Sequence, residues 1–350
     1  MNALTVLIPL YIVLISFCYR VSKAKVYSKS IFLYLSILVF TVVVGLRYMV
    51  GNDYLSYLSY LTYGYGVDRL EPFSKFTIEY VLAHRIWPYY WFVLCAAIQI
   101  TFFLFGFRNM KKILPYGVFF FLFYFLSFYT SGIRQANAIS CIFFAFSFIK
   151  ERKLIPYLLF VLFAFLNHRS AVLALPAYWI FNTDKILGIK MQIVTILAGL
   201  IVGQTLIVYL VEKYGVYLTV IGYDYLAERI KENDMKVEVD SGLGVIFNYI
   251  VFLVVVLYSK KLHEYFKDKN FSIYYNLFVF SVFCYGFTMH DQYLSRMMFF
   301  FRMSIPVVLA YATYYFVSKR EDSIIWYPIL AAFLVLEVYK WANDQWFFVF

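Results

Sequence analysis

At 350 residues, with 63% hydrophobic and only 15% charged side chains and a mean hydropathy of +0.74, the chain falls in the membrane class, which excludes a soluble enzyme. A net charge of +11 does not signal a nucleic-acid partner, because Lys and Arg are dispersed into short linkers between apolar runs. Hydrocarbon offers backbone groups no partners, and long apolar runs select helices over a barrel, so an all-α polytopic protein forming a single transmembrane domain over 1–350 is expected.

Windows of roughly 17 to 22 apolar residues place about twelve spans near 3–19, 30–46, 88–107, 114–130, 132–149, 154–170, 171–182, 190–210, 243–259, 271–289, 297–317 and 323–340. The seventh is short enough to be re-entrant. The first has no basic stretch before it and no small-residue cleavage site after it, so it is expected to stay as a span. Cys18, Cys95, Cys141 and Cys284 lie inside apolar runs without CxxC spacing, which points to core residues and to neither disulfides nor zinc.

Every second linker is basic. Arg20, Lys23, Lys25 and Lys29 follow the first span, Arg108, Lys111 and Lys112 the third, Lys150, Arg152 and Lys153 the fifth, Lys260, Lys261, Lys267 and Lys269 the ninth, and Lys319 and Arg320 the eleventh. Basic linkers face the cytoplasm, so both termini are expected outside. The two long linkers, about 47–87 and 211–242, share the outer side; the second is net acidic over 214–240. Function is expected there, where loops are large enough to build a site.

The first long linker opens Arg47-Tyr48-Met49-Val50-Gly51-Asn52-Asp53, and Tyr54, Tyr57, Leu58 and Leu61 then recur on one helical face. That pattern predicts an amphipathic helix lying in the headgroup layer, with Asn52 or Asp53 as N-cap and Gly51 permitting a tight turn. Trp87, Tyr89, Tyr90 and Trp91 are either an interfacial belt or a platform for sugar rings.

There is no phosphate-binding glycine loop, no HExxH and no Asp-x-Asp pair, and the cytoplasmic loops are too short for a nucleotide domain. A substrate arriving through the membrane is therefore expected, with no cofactor and no metal. Arginine on the outer side stands out: Arg47, Arg134, Arg169 and Arg296 sit at outer helix ends and Arg302 lies inside the eleventh span. A guanidinium at membrane depth costs roughly 2.5–3.5 kcal/mol and normally has a partner. Its planar fork suits phosphate oxygens, and Arg134 starts a helix whose dipole favours an anion. Snorkelling to lipid phosphates, or pairing with Asp53 or Asp291, explains any one of these but poorly explains five. Proton transfer falls to Asp53, His168, His290 and Asp291, against the alternatives of an N-cap for Asp53 and a structural histidine at a helix end.

Gly45-Leu46-Arg47-Tyr48 with Val50-Gly51-Asn52-Asp53-Tyr54, Ile133-Arg134-Gln135-Ala136, Ala164-Phe165-Leu166-Asn167-His168, and Arg296 to Arg302 before Pro306 together resemble the EpsG-like group of Wzy polymerases, over about 40–310. The family pattern more often carries Thr at position 52 and Phe at position 167. The resemblance implies a metal-independent glycosyltransferase with a GT-C-like bundle in the bacterial inner membrane, its site facing the periplasm. It would transfer a growing glycan from undecaprenyl pyrophosphate to a lipid-linked repeat unit, with membrane lipids around it and a chain-length regulator protein as a further partner. On that reading Asp53, His168 or Asp291 is catalytic, Arg47, Arg134, Arg169, Arg296 and Arg302 bind pyrophosphate, and Tyr54, Gln135 and His290 are further candidates.

Three rivals share outer-face cations: a flippase for lipid-linked oligosaccharide, an O-antigen ligase and a membrane acyltransferase. A flippase is expected to carry deep charge in both halves and pseudosymmetric repeats, neither of which is evident. A ligase usually has a larger outer loop, and an acyltransferase takes its donor from the cytosolic side.

Overall fold

The computed structural model describes residues 1–201, 242–288 and 292–349, and regular structure there is almost entirely helical. Among the described residues six helices are long and apolar enough to cross a membrane: Ala3–Lys23, Tyr89–Gly106, Lys111–Ser131, Lys269–Thr288, Phe299–Ser318 and Ser323–Trp341. A seventh arises if Leu243–Leu257 and Ser259–Phe266, bent by 57°, form one span; Ile31–Gly45, Leu154–Asn167 and Ile189–Ile201 are apolar but shorter. The expected seventh span is too short to cross by itself. It consists of a 3₁₀ helix, Arg169–Ala174, and one helical turn, Ala177–Ile180. The 211–242 linker, apart from its last residue, and His290 and Asp291 lie outside the described residues.

The chain packs as two compact units, 1–182 with 306–350, and 183–305. In the first, α5 (Tyr89–Gly106) and α8 (Leu154–Asn167) pack along α7 (Ile133–Lys150), which α6 (Leu114–Ser131) also touches, while α1 (Ala3–Lys23) packs on α6 and on α2 (Ile31–Gly45), and α2 on α5. Nearly every side chain of α7 from Gln135 to Ile149 is buried. That is why α7 tolerates Gln135, Asn137 and Ser140: a helix enclosed by protein exposes no polar group to lipid. Asn137 donates to Asn167 Oδ1 at 3.2 Å, and Ser140 Oγ lies 2.7 Å from Tyr129 Oη. Close approach between helices needs small residues; a Cβ on Gly45 would stand 2.7 Å from Val93 Cα of α5.

Both chain ends meet at one end of this unit. Arg47–Tyr48 (β1) pairs antiparallel with Phe347–Phe348 (β2), Asn2 bridges Gln345, and Trp346 N donates to Met1 O at 2.9 Å. The C-terminal helix Arg320–Trp341 docks on α1 through Glu337, which accepts from Tyr11 Oη at 2.6 Å and from Trp341 Nε1 at 2.7 Å. At the opposite end Arg108 and Lys153 both pair with Glu151, at 2.9 Å each. The termini thus share a side, as the alternation of basic linkers requires.

Between α2 and α5 the chain forms α3 (Tyr54–Tyr63) and α4 (Pro72–Ala83). The apolar face of α3 is where periodicity places it, on Tyr54, Tyr57 and Leu61, but it does not lie on lipid. Those side chains pack with Ile78, Trp91, Phe92 and Ile133 in a protein core. The headgroup-layer reading of α3 is therefore corrected: α4 and α5 supply the apolar partner that the sequence left to the membrane.

Candidate site at the terminal end of the first unit

The chain enters this site through a turn held by backbone contact. Gly51 has φ +101°, a conformation that side chains with a Cβ rarely adopt, and a Cβ there would lie 2.2 Å from Thr130 O at the end of α6. Asn52 N donates to Ser131 Oγ at 3.1 Å. Gly51→Ala is expected to cost about 1–3 kcal/mol, read as a lower thermal midpoint in detergent; an unchanged midpoint would show that the turn relaxes.

Arg47 is buried beneath this turn, with 1% of its surface exposed. Its Nε donates to Val50 O at 3.1 Å, Nη1 to Val44 O at 2.6 Å and Nη2 to Thr130 O at 2.8 Å, and its guanidinium lies 5.3 Å from the centre of the Phe92 ring. Burial draws its pKa down to about 10, which still leaves it charged at neutral pH. A guanidinium this deeply buried and bonded to carbonyls from three segments is closed to a phosphate arriving from outside, so Arg47 ties the end of α2 to the turn and to α6. The expectation that it grips pyrophosphate is withdrawn. Tyr54 is likewise core: it is stacked on Phe92 and donates to Tyr89 Oη at 2.9 Å. Trp91 is buried and donates to Thr77 Oγ1 at 3.0 Å, whereas Trp87 and Tyr90 remain exposed.

Arg134 is placed differently. From the first turn of α7 it forms an ion pair with Glu71, whose side chain is 10% exposed against 27% for the arginine. Its Nε is buried without a hydrogen-bond partner. Tyr57 also bonds the guanidinium; burial raises the Tyr57 phenol above its usual range, and Arg134 opposes that shift. Tyr57, Glu71 and Arg134 thus form one group, and Asp53 stands within electrostatic range of the Tyr57 phenol. Asp53 occupies the N-cap position of α3, yet its side chain makes no capping bond. The capping role is therefore unfilled, and the carboxylate is available for other work.

Glu71 was not anticipated from the sequence. Its one signal is Glu71-Pro72, a carboxylate just ahead of a proline at the first turn of a helix, where charge and dipole agree. Phe73 of α4 meets Phe163 of α8 edge to face at 5.4 Å, which brings the end of α8 to the same region. There His168 Nδ1 lies 2.7 Å from Ser170 Oγ, and Arg169 is exposed. Gln135 is buried in α7 beside Arg134.

Arg296 and Arg302 belong to the second unit, on Gln292–Met297 and Phe299–Arg302. Arg302 Nη2 donates to Ser295 Oγ at 2.8 Å, and the guanidinium lies 4.7 Å from the Tyr285 ring centre and 4.5 Å from that of Phe299. Arg296 is exposed. No group of three His, Cys, Asp or Glu side chains able to hold a metal occurs among the described residues.

No curated protein and no solved structure matches the chain. The sequence model of the EpsG family matches residues 30–349, which takes in the Arg47 turn, the Glu71–Arg134 pair, His168 and Arg302. The chain is a helical membrane protein that belongs to the EpsG family.

Proposed function

We propose that this protein is a repeat-unit polymerase that transfers a growing glycan from undecaprenyl pyrophosphate to a lipid-linked oligosaccharide at the outer face of the bacterial inner membrane. The observation that carries the reading is the Tyr57, Glu71 and Arg134 group, with Asp53 in electrostatic range of it, at the end opposite the basic linkers. By the positive-inside rule that end is periplasmic, along with both termini. About twelve membrane segments in a GT-C-like bundle belong to the same reading, some too short to cross alone.

In the reaction an acceptor sugar oxygen bonds to the anomeric carbon of the donor while the bond from that carbon to the pyrophosphate oxygen breaks. The acceptor hydroxyl proton passes to Asp53 or, alternatively, His168, acting as general base. Arg134, held by Glu71 and Tyr57, turns its remaining N–H groups to the departing pyrophosphate, and Arg169 is the further cation of this unit assigned to that charge. Guanidinium groups supply the charge stabilisation, so the reading is metal-independent.

Cells lacking the gene are expected to display single repeat units on lipid A and no ladder; loss of the single unit as well would favour a flippase or a ligase. Asp53→Asn keeps the shape and removes the base. It is expected to lower polymer output on the order of 10²-fold or more, seen as loss of the ladder in a complementation assay, and a normal ladder would move the role to His168.

A further inference from the structure

At the basic end of the first unit, a cavity of about 610 Å³ opens between α1, the start of α6 and the helix Ser304–Ser318. Its wall on α1 runs from Ile15 to Lys23, which at 1.5 Å per residue spans about 12 Å along the helix axis. The bilayer-ward part is lined by Ile15 and Pro115, whereas Arg20, Lys23 and Lys112 stand at the helix ends. Tyr116 and Tyr314 meet edge to face at 6.4 Å beside it.

Among the described residues the three cations lack a counter-charge. Arg108 and Lys153 at this end are compensated by Glu151, but Arg20, Lys23 and Lys112 have no ion-pair partner among the described residues. Lys23 instead lies 5.3 Å from the centre of the Tyr19 ring. Three charges around one concavity, unpaired among the described residues, call for an anion. A cavity cationic at its outer end and apolar toward the bilayer fits an amphiphile, because a free anion would leave the apolar half empty.

We propose that this cavity binds an anionic phospholipid, its phosphate held by Arg20, Lys23 and Lys112 and its upper acyl carbons against Ile15 and Pro115. The site is separate from the Glu71–Arg134 group and does not depend on the polymerase reading. The full-length protein, purified in a neutral detergent, is to be examined by native mass spectrometry and thermal unfolding with phosphatidylglycerol, phosphatidylcholine or inorganic phosphate added. Retention of phosphatidylglycerol and a raised midpoint are expected, with no effect from the other two.

Arg20→Gln/Lys23→Gln/Lys112→Gln is expected to weaken phosphatidylglycerol binding roughly 100-fold, from about a fivefold loss per interfacial cation. Lys25→Gln/Lys29→Gln/Arg152→Gln removes the same charge from this end outside the cavity and is expected to bind as the parent does. Ser16→Trp fills the cavity with every cation in place and is expected to abolish retention. Equal loss in the two triple variants, undiminished retention by Ser16→Trp, or stabilisation by inorganic phosphate equal to that by the lipid would each overturn the proposal.

Discussion

Arg134→Lys is expected to abolish long-chain polymer while leaving the protein in the membrane at its normal level. The guanidinium holds Glu71 and Tyr57 with part of its fork, which orients the remaining N–H groups. An ammonium preserves the charge, so the buried Glu71 carboxylate keeps a partner and the fold is retained. What it lacks is the planar fork, and with it simultaneous engagement of the pair and a phosphate. Removal of one such transition-state contact costs about 10²–10³ in rate. Arg134→Ala is the less informative change, because an unpaired buried carboxylate costs about 3–5 kcal/mol and confounds catalysis with folding. The measurement is the glycan ladder in complemented cells alongside the membrane level of each variant. A full ladder from Arg134→Lys would take Arg134 out of the site.

Arg47→Lys is expected to fail in the opposite manner, by loss of folded protein. Lysine cannot reach the carbonyls of Val44, Val50 and Thr130 together, so at least two of the three bonds are lost in a buried place. Hydrogen bonds to a charged group contribute about 1.5–3 kcal/mol each. The resulting loss of about 3–6 kcal/mol is a large share of the about 5–15 kcal/mol by which a typical domain is stable. Fluorescence-detected size exclusion in detergent should show aggregated or absent protein. A monodisperse, normally melting Arg47→Lys variant without polymer would return Arg47 to the chemistry.

These two arginines looked alike as residues in a string. Both stand at outer helix ends, both lie in segments that resemble the family, and the cost of burying either demands a partner. What distinguishes them is the partner's identity. Arg47 finds Val44 and Val50 locally and Thr130 across 83 residues of chain, and Arg134 finds Glu71 across 63. Hydrophobic periodicity is a local signal and carries no information about such pairings. For the same reason the apolar face of α3 was legible, and the surface it packs against was not.

Membrane residence, the helical class, the positions of most apolar segments and the alternation of basic linkers follow from the amino-acid sequence by itself, because lipid imposes one solution on long apolar runs and the charge rule acts linker by linker. Tertiary structure alone decided that the termini close a small sheet with Arg47–Tyr48, that α7 is enclosed and so accepts polar residues, and that Glu71 and Tyr57 hold Arg134 near Asp53. Those outcomes depend on which distant segments meet, and that is fixed by the packing of whole helices and not by the residues next along the chain.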